Sequence, residues 1–243
     1  MLDLNSINIT ADPSITSDVL SKVLSSHPLT SWAAEVDPEI KVHGLHVQSV
    51  DMFGSSKVGF IKFKADCSVD GHRVPGIVFC RGAAVAILMV LVNASNGEEY
   101  CIMTEQCRVP CGKSKFIEIP AGMLENGQFK GTAAAEVQEE TGITIDENHL
   151  VDLIKEVTNS TGSSFPGMYP SPGGCDEYIK LYLYRKEISQ EELNELDGKL
   201  TGLREDGEHI VLRLFKMQDL PFVTADGKAL AACLLYRTLK GQK

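Results

Sequence analysis

The pattern of apolar and polar residues divides the chain into three stretches. Residues 1–40 are polar and rich in serine at first, and apolar residues then recur at helical spacing from Val19 to Leu24, which predicts a short helix. Residues 41–82 are rich in β-branched and aromatic residues and contain turn sequences such as Asp70–Gly71, so they predict a small β domain. Residues 83–243 alternate between strand-like and helix-like patterns, which predicts an α/β domain.

The individual elements follow from the same periodicities. The strands are predicted at residues 42–50, 58–65, 74–79, 83–92, 99–109, 150–158, 178–185 and 209–215. The longer helices are predicted at residues 133–141, 189–196 and 225–239. The run from Ala83 to Val92 is apolar throughout, which indicates a strand that is buried on both faces.

Three carboxylates fall within five residues of the predicted helix Ala133–Thr141. Alanine and glutamate favour helix formation, no proline interrupts the segment, and Gly142 is well placed just past its C-terminus. Spacings of three and four residues put Glu136, Glu139 and Glu140 on one face of this helix.

Two interpretations of this acidic face remain open. A charge run is usually a solvated surface. Like charges at these spacings repel each other, however, and a hard divalent cation such as Mg²⁺ removes the repulsion, because carboxylate oxygens are the ligands that it prefers. The turn Pro120–Gly122 before the segment and the stop Thr141–Gly142 after it favour the metal site.

Length, charge and cysteine content narrow the class of protein. At 243 residues the chain can contain one catalytic domain with an N-terminal extension. A net charge of −10 argues against nucleic acid or an anionic membrane as a partner, since phosphates would be repelled. The seven cysteines are odd in number and scattered, which indicates free thiols in a reducing compartment.

No targeting signal is visible near the N-terminus, and the longest apolar run, Ala83–Val92, is too short to span a bilayer. We therefore expect a cytoplasmic protein without membrane partners, or a plastid protein if a presequence has been removed.

Residues 122–143 resemble the Nudix box, Gly-x5-Glu-x7-Arg-Glu-U-x-Glu-Glu-x-Gly-U, in which U is aliphatic. The second half of the box matches at Glu136, Val137, Glu139, Glu140, Gly142 and Ile143. In the first half, Gln128 stands in place of the glutamate, Ala135 stands in place of the arginine, and the spacer is one residue short.

Other stretches look like the ADP-ribose and ADP-sugar branch of the Nudix hydrolases. They are Phe79–Gly82, Thr104–Pro110, Glu118–Gly122, Ser171–Glu177 and Gly202–Glu208. The run Val50–Phe79 is similar to plant-type ADP-sugar diphosphatases in particular. The resemblance implies a Nudix α/β/α sandwich with a mixed sheet over residues 83–243. It also implies that the β domain, residues 41–82, exchanges across a homodimer. Residues 1–40, for which the apolar pattern predicts a helical extension, lie outside the resemblance.

The same resemblance implies the chemistry. The expected reaction is hydrolysis of the pyrophosphate of a nucleoside diphosphate sugar, such as ADP-glucose or ADP-ribose, to AMP and a sugar phosphate. The cofactor would be Mg²⁺, with Mn²⁺ as an alternative. Its implied ligands are the Ala121 carbonyl, Glu136, Glu139 and Glu140. The implied catalytic residues are Glu140 and a general base at Glu177, with Asp176 and Glu208 as rivals for the base. Substrate binding is implied for Arg81, Arg108, Glu118 and Gly122. The alternative for either arginine is a structural ion pair, and the alternative for Glu118 is that it orients Arg108.

A second functional class is open at this point. Because Gln128 and Ala135 break two positions of the box, the chain could be a nucleotide-sugar binding module with weakened catalysis. The intact set of three glutamates favours the enzyme, since a pure binding protein has less use for clustered carboxylates.

Overall fold

The computed structural model describes residues 2–124, 128–159, 162–163, 165–202 and 209–241. The chain splits into two compact units. The first unit comprises Met1–Ala83 with Tyr169–Tyr178, and the second comprises Ala84–Met168 with Ile179–Lys243. In the described part of the chain, no helix is long and apolar enough to cross a membrane.

The first unit is a mixed β-sheet with two helices. Its strands are β1 (Asn8–Ala11), β2 (Lys41–Phe53), β3 (Lys57–Val69), β4 (His72–Val74) and β5 (Ile77–Cys80), and its helices are α1 (Ser17–Ser25) and α2 (His27–Glu35). The strand order is β1-β2-β3-β4, with β5 also paired to β3. Strand β1 lies parallel to β2, and the other pairs are antiparallel. Residues 8–11 therefore share one sheet with residues 41–80, and the boundary at residue 40 stays a prediction.

The core of the first unit lies between the helices and the long strand β3. Phe63 on β3 is fully buried, and Trp32 on α2 packs against it edge-on, with ring centroids 4.8 Å apart. Val23 on α1 and Leu29 on α2 are buried in the same cluster. The predicted strand at residues 74–79 is interrupted at Pro75–Gly76, because proline cannot donate to a sheet ladder.

Among its described residues, the second unit contains an eight-stranded mixed sheet. Its strands are β6 (Ala84–Asn93), β7 (Glu99–Arg108), β8 (Lys113–Glu118), β9 (Ala121–Met123), β10 (Val151–Asp152), β11 (Ile179–Ile188), β12 (Leu200–Thr201) and β13 (Ile210–Lys216). Its helices are α3 (Phe129–Thr141), α4 (Leu153–Thr158), α5 (Gln190–Leu196), α6 (Leu220–Val223) and α7 (Gly227–Gly241). The main strand order is β10-β11-β6-β7-β13-β12, with β8 on β7 and β9 on β6. Strands β11 and β6 are parallel, and the other pairs are antiparallel.

Helices cover both faces of this sheet. All ten residues of β6 are buried, which confirms the prediction of a doubly buried strand. Alternate residues from Ala84 pack with helices α4, α6 and α7, whereas those from Val85 pack with α3 and α5. The predicted α/β/α sandwich with a mixed sheet is confirmed.

The predicted strand at residues 150–158 is wrong for most of its length. Only Val151–Asp152 is a strand, and Leu153–Thr158 forms helix α4. The Asp152 carboxylate accepts a hydrogen bond from the Lys155 N–H at 3.0 Å and caps this helix. Leu153 and Ile154 are then buried in the sandwich core, so tertiary packing outweighs the β preference of the residue types.

Candidate active site

Helix α3 carries the three candidate metal-binding carboxylates. Ala133 and Val137 are fully buried against the sheet and fix the rotation of the helix. The helix ends at Gly142, whose left-handed backbone (φ 71°) closes its last turn, as predicted. Of the three glutamates, Glu140 is buried, Glu136 is half-buried and Glu139 is exposed.

The Glu136 side chain lies directly over Gly122 on strand β9. A Cβ atom built on Gly122 would come within 1.7 Å of Glu136 Oε1 and 1.8 Å of its Cδ. Only glycine leaves room for the carboxylate at this point. The steric fit brings the box glycine and the first glutamate of helix α3 together, although they lie fourteen residues apart.

Glu140 points at the same turn from the next turn of the helix. Its Oε2 accepts a hydrogen bond from the Ala121 N–H at 3.2 Å. Burial, together with the nearby charges of Glu136 and Glu118, raises the pKa of Glu140 to about 8, although the Ala121 N–H and Arg108 act in the opposite direction. Glu140 is therefore a buried carboxylate whose charged form is destabilised first by burial and then by two neighbouring carboxylates.

The donor set of this carboxylate cluster, Glu136 and Glu140 around the turn Ala121–Gly122, fits a hard divalent cation. Its donors are all oxygens, and a positive ion would stabilise the ionised form of Glu140, which burial and the neighbouring carboxylates disfavour. Within the described residues, no three His, Cys, Asp or Glu side chains are grouped closely enough to form a complete metal cage. Mg²⁺ does not require one, because it typically binds one or two carboxylates and keeps several water or phosphate ligands.

Arg108 and Glu118 face each other across strands β7 and β8. Glu118 is 3% exposed, and its Oε1 accepts a hydrogen bond from Arg108 Nε at 2.5 Å. The Arg108 side chain is 39% exposed, so its guanidinium remains accessible to an anionic ligand. The structure therefore supports the interpretation in which Glu118 orients Arg108.

The first unit contains a second group of candidate residues. Arg81 Nε lies 3.4 Å from Glu177 Oε1, and both side chains are largely buried. The guanidinium of Arg81 also lies over the Phe60 ring, 5.5 Å from its centroid. Arg81 and Glu177 thus form a preorganised pair of charges on the segments that the resemblance identifies.

Asp176 is engaged in holding the backbone of this segment. Its carboxylate accepts hydrogen bonds from the Arg81 N–H at 2.8 Å, from the Gly82 N–H at 3.2 Å and from the Cys80 thiol at 3.3 Å. Burial and the Asp176 charge raise the pKa of the Cys80 thiol, which keeps it protonated as a donor. With its oxygens occupied in this way, Asp176 is a weaker candidate than Glu177 for the general base.

Replacing Asp176 with alanine should therefore chiefly lower the free energy of unfolding, with a smaller effect on catalysis. It leaves two backbone N–H groups without their charged acceptor, and we expect a loss of about 2–4 kcal/mol in the free energy of unfolding. Urea denaturation would measure it. Asp66→Ala is the matched control, because the Asp66 side chain makes an exposed ion pair with Arg73, worth less than about 1 kcal/mol. Equal stability losses in the two variants would contradict this role of Asp176.

The third candidate base and the two positions that depart from the box remain to be placed. Glu208, the third candidate base, lies in residues 203–208, outside the described residues. Gln128, which replaces the box glutamate, is the N-cap residue of α3 and makes no side-chain capping bond, and Ala135 is exposed.

Sequence reasoning missed Asp226 and Lys228, which surround Glu118. Lys228 Nζ lies 2.9 Å from Glu118 Oε2, and Asp226 is 4% exposed. The contact joins residues 110 positions apart, and neither residue belongs to a motif that pattern reasoning identifies. An aspartate and a lysine at the start of an apolar helix were the only signal.

Comparison with known proteins finds a matching family model and several similar chains. The NUDIX domain model matches residues 82–233. The chain is 42% identical over 240 residues to Nudix hydrolase 14, chloroplastic, of Arabidopsis thaliana, covering 94% of this chain and 75% of that protein. It is 37% identical over 109 residues to an ADP-ribose pyrophosphatase of Bacillus subtilis (strain 168), covering 44% of this chain and 51% of that protein. A solved structure of an ADP compounds hydrolase aligns with a TM-score of 0.49 and 17% identity, covering 83% and 97% of the two chains.

The chain belongs to the Nudix hydrolase family, which confirms the prediction made from its box and flanking motifs. It is accordingly an enzyme of the Nudix type. The name of the Bacillus subtilis relative, an ADP-ribose pyrophosphatase, agrees with the ADP-ribose and ADP-sugar branch of the family.

Proposed function

We propose that this protein is a Mg²⁺-dependent diphosphatase that hydrolyses an ADP-sugar, of the ADP-glucose or ADP-ribose type, to AMP and a sugar phosphate. The observation that carries the proposal is the carboxylate cluster, in which Glu136 and Glu140 converge on the turn Ala121–Gly122. The relatives support the reaction class, since one of them is named an ADP-ribose pyrophosphatase.

The metal would be held by Glu136 and Glu140, with Glu139 and the Ala121 carbonyl completing the proposed set. When bound, it supplies charge neutralisation of the diphosphate oxygens and a lowered pKa for a coordinated water. Mn²⁺ has the same preference for oxygen donors and is a proposed substitute.

Side chains of the protein would bind the phosphates and accept the proton. Arg108 and Arg81 would donate hydrogen bonds to phosphate oxygens, a task for which the guanidinium geometry is suited. Glu118 orients Arg108, and Gly122 keeps the turn open for Glu136. We assign Glu177 as the base that accepts a proton from the attacking water. The water oxygen bonds to one phosphorus, the bridging P–O bond breaks, and the other phosphate leaves with the bond electrons.

The second candidate function is nucleotide-sugar binding with little turnover. It is favoured by one observation, that Gln128 leaves the start of α3 without a side-chain cap where the box has a glutamate. Binding with negligible hydrolysis would identify this alternative.

Product analysis distinguishes the two functions. The protein would be incubated with Mg²⁺ and ADP-glucose, ADP-ribose or UDP-glucose, and the products separated by chromatography. We expect AMP with a sugar phosphate from the ADP-sugars, abolished by a chelator and by Glu140→Gln. If calorimetry shows binding but no product forms, the diphosphatase assignment is wrong.

We also propose a homodimer and a plastid location. Ile77 and Phe79 are 59% and 39% exposed and project from the same face of strand β5, which is consistent with a covered interface. Sedimentation at micromolar concentration should show a dimer, and a monomer alone would contradict it.

The plastid location is based on the chloroplastic relative and replaces the cytoplasm as our expectation. Imaging of a fluorescent fusion tests it.

A further inference from the structure

Four charged side chains form a connected group in the second unit, which we call the Glu118 network: Arg108, Glu118, Asp226 and Lys228. Glu118 receives Arg108 Nε at one oxygen and Lys228 Nζ at the other. Lys228 Nζ also donates to Asp226 Oδ1 at 2.9 Å. The second Asp226 oxygen accepts the Ile119 N–H at 3.2 Å.

The network is too buried to be an ordinary surface ion pair. Glu118 and Asp226 are 3% and 4% exposed, and the Lys228 side chain is 17% exposed. Burial alone would lower the pKa of Lys228, but Asp226 and Glu118 more than offset it, so the pKa lies above its ordinary value and the ammonium stays charged. Breaking a buried pair by removing one partner leaves an uncompensated charge.

Lys228 balances part of the negative charge of the Glu118 network. Arg108 and Lys228 together balance Glu118 and Asp226, so the network is neutral. Without Lys228 it carries a net negative charge, and Glu118 is then balanced by Arg108 alone. Arg108 would be drawn more strongly to Glu118, and a bound anion beside it would meet an excess of negative charge.

We propose that Lys228 is a positioning residue for the reaction, which neutralises Glu118 so that Arg108 can bind the anionic diphosphate. This inference rests on the proposed function. Asp226 has a supporting role, because it fixes Lys228 and, through the Ile119 N–H, the backbone next to Glu118. Lys228 acts through Glu118 and Arg108 rather than on the substrate, so its removal should weaken substrate binding more than the chemical step.

The test is a double-mutant cycle on Lys228 and Arg108, with KM and kcat measured for the best ADP-sugar at saturating Mg²⁺. Lys228→Met should raise KM about tenfold while kcat changes less than about threefold, and Lys228→Arg should restore KM. If Lys228 acts through Arg108, the variant with both Lys228→Met and Arg108→Ala should have the KM of Arg108→Ala alone. Lys240→Met is the control, because Lys240 makes an ion pair with Glu99 outside the network.

The outcomes separate the two proposals. If the wild-type protein turns over no nucleotide sugar, the proposed function is wrong and the positioning role falls with it. If the wild type is active but Lys228→Met loses only thermal stability with an unchanged KM, Lys228 is purely structural. The proposal would also be overturned if the increase in KM of the double variant equalled the product of the increases in the two single variants. Lys228→Gln, which keeps a hydrogen-bond donor without the charge, provides the same KM test if Lys228→Met does not fold.

Discussion

Replacing Glu140 with glutamine should reduce kcat/KM at least about a hundredfold, because the stabilisation supplied by a catalytic metal amounts to several kcal/mol. Glutamine keeps the shape of the side chain and can still accept the Ala121 N–H through its amide oxygen. The variant therefore removes the charge with little change in packing. Steady-state kinetics over a range of Mg²⁺ concentrations measures the effect. Activity within threefold of the wild type would contradict the metal-binding role.

The same substitution should stabilise the metal-free protein. The Glu140 pKa is raised from 4.5 to about 8 in the folded chain, so the folded state binds the proton more tightly than the unfolded state does. The metal-free wild type should then lose stability as pH rises from about 4.5 to about 8, in the window between the two pKa values. At pH 9 in chelator, Glu140→Gln should be more stable by on the order of 2–4 kcal/mol, a rise of roughly 5–10 °C in Tm.

Thermal unfolding at pH 5 and pH 9 tests this effect. The difference between wild type and Glu140→Gln should be small at pH 5, where Glu140 is protonated, and large at pH 9. Glu139→Gln is the control for stability, because Glu139 lies on the same helix but is exposed. If both variants shift Tm equally at both pH values, burial of the Glu140 charge is not the cause.

Gly122→Ala should reduce kcat about thirtyfold or more with the fold retained. The added methyl group would occupy the position of the Glu136 carboxylate, only 1.7 Å from its Oε1, so the carboxylate must leave the turn. Displacement of a catalytic group by about 1 Å is sufficient for losses near a hundredfold. Overpacking should also lower the free energy of unfolding by about 1–3 kcal/mol.

Gly131→Ala provides the matched control for this substitution. Gly131 lies in helix α3, and the nearest atom to a Cβ there, apart from the adjoining helix backbone, would be Glu147 Oε2 at 3.6 Å. This variant should keep full activity and gain about 0.5–1 kcal/mol of stability, because alanine restricts the unfolded chain. Kinetics and urea denaturation of the two variants give the comparison. Equal kcat in Gly122→Ala and wild type would show that Glu136 does not need its position over Gly122.

The sequence predicts those elements that are determined by residue type and spacing within a single segment. The carboxylate helix and its stop at Gly142 follow from residue type and spacing, and the buried strand β6 follows from its unbroken apolar run. The α/β/α sandwich was predicted from the family resemblance and is confirmed by the helices on both faces of the sheet.

The remaining features depend on long-range contacts. Helix α4 was predicted as a strand, because neither its Asp152 cap nor its packing in the core can be read from the residues alone. The contact of Lys228 with Glu118 arises only when β8 and α7 meet. Likewise, the hydrogen bonds that the Asp176 carboxylate accepts from the backbone at Arg81 and Gly82 cannot be read from the sequence, in which Asp176 and Glu177 are adjacent acidic residues.

The central claim is that the protein cleaves the diphosphate of an ADP-sugar with a metal held by Glu136 and Glu140. Phosphorus NMR of ADP-glucose incubated with the protein and Mg²⁺ tests it most directly, because the diphosphate and the two monoester products give separate signals. We expect the two diphosphate resonances to disappear as those of AMP and glucose 1-phosphate grow in equal amounts, and a chelator to stop the change. Persistent diphosphate resonances, with ADP-ribose giving the same result, would contradict the account.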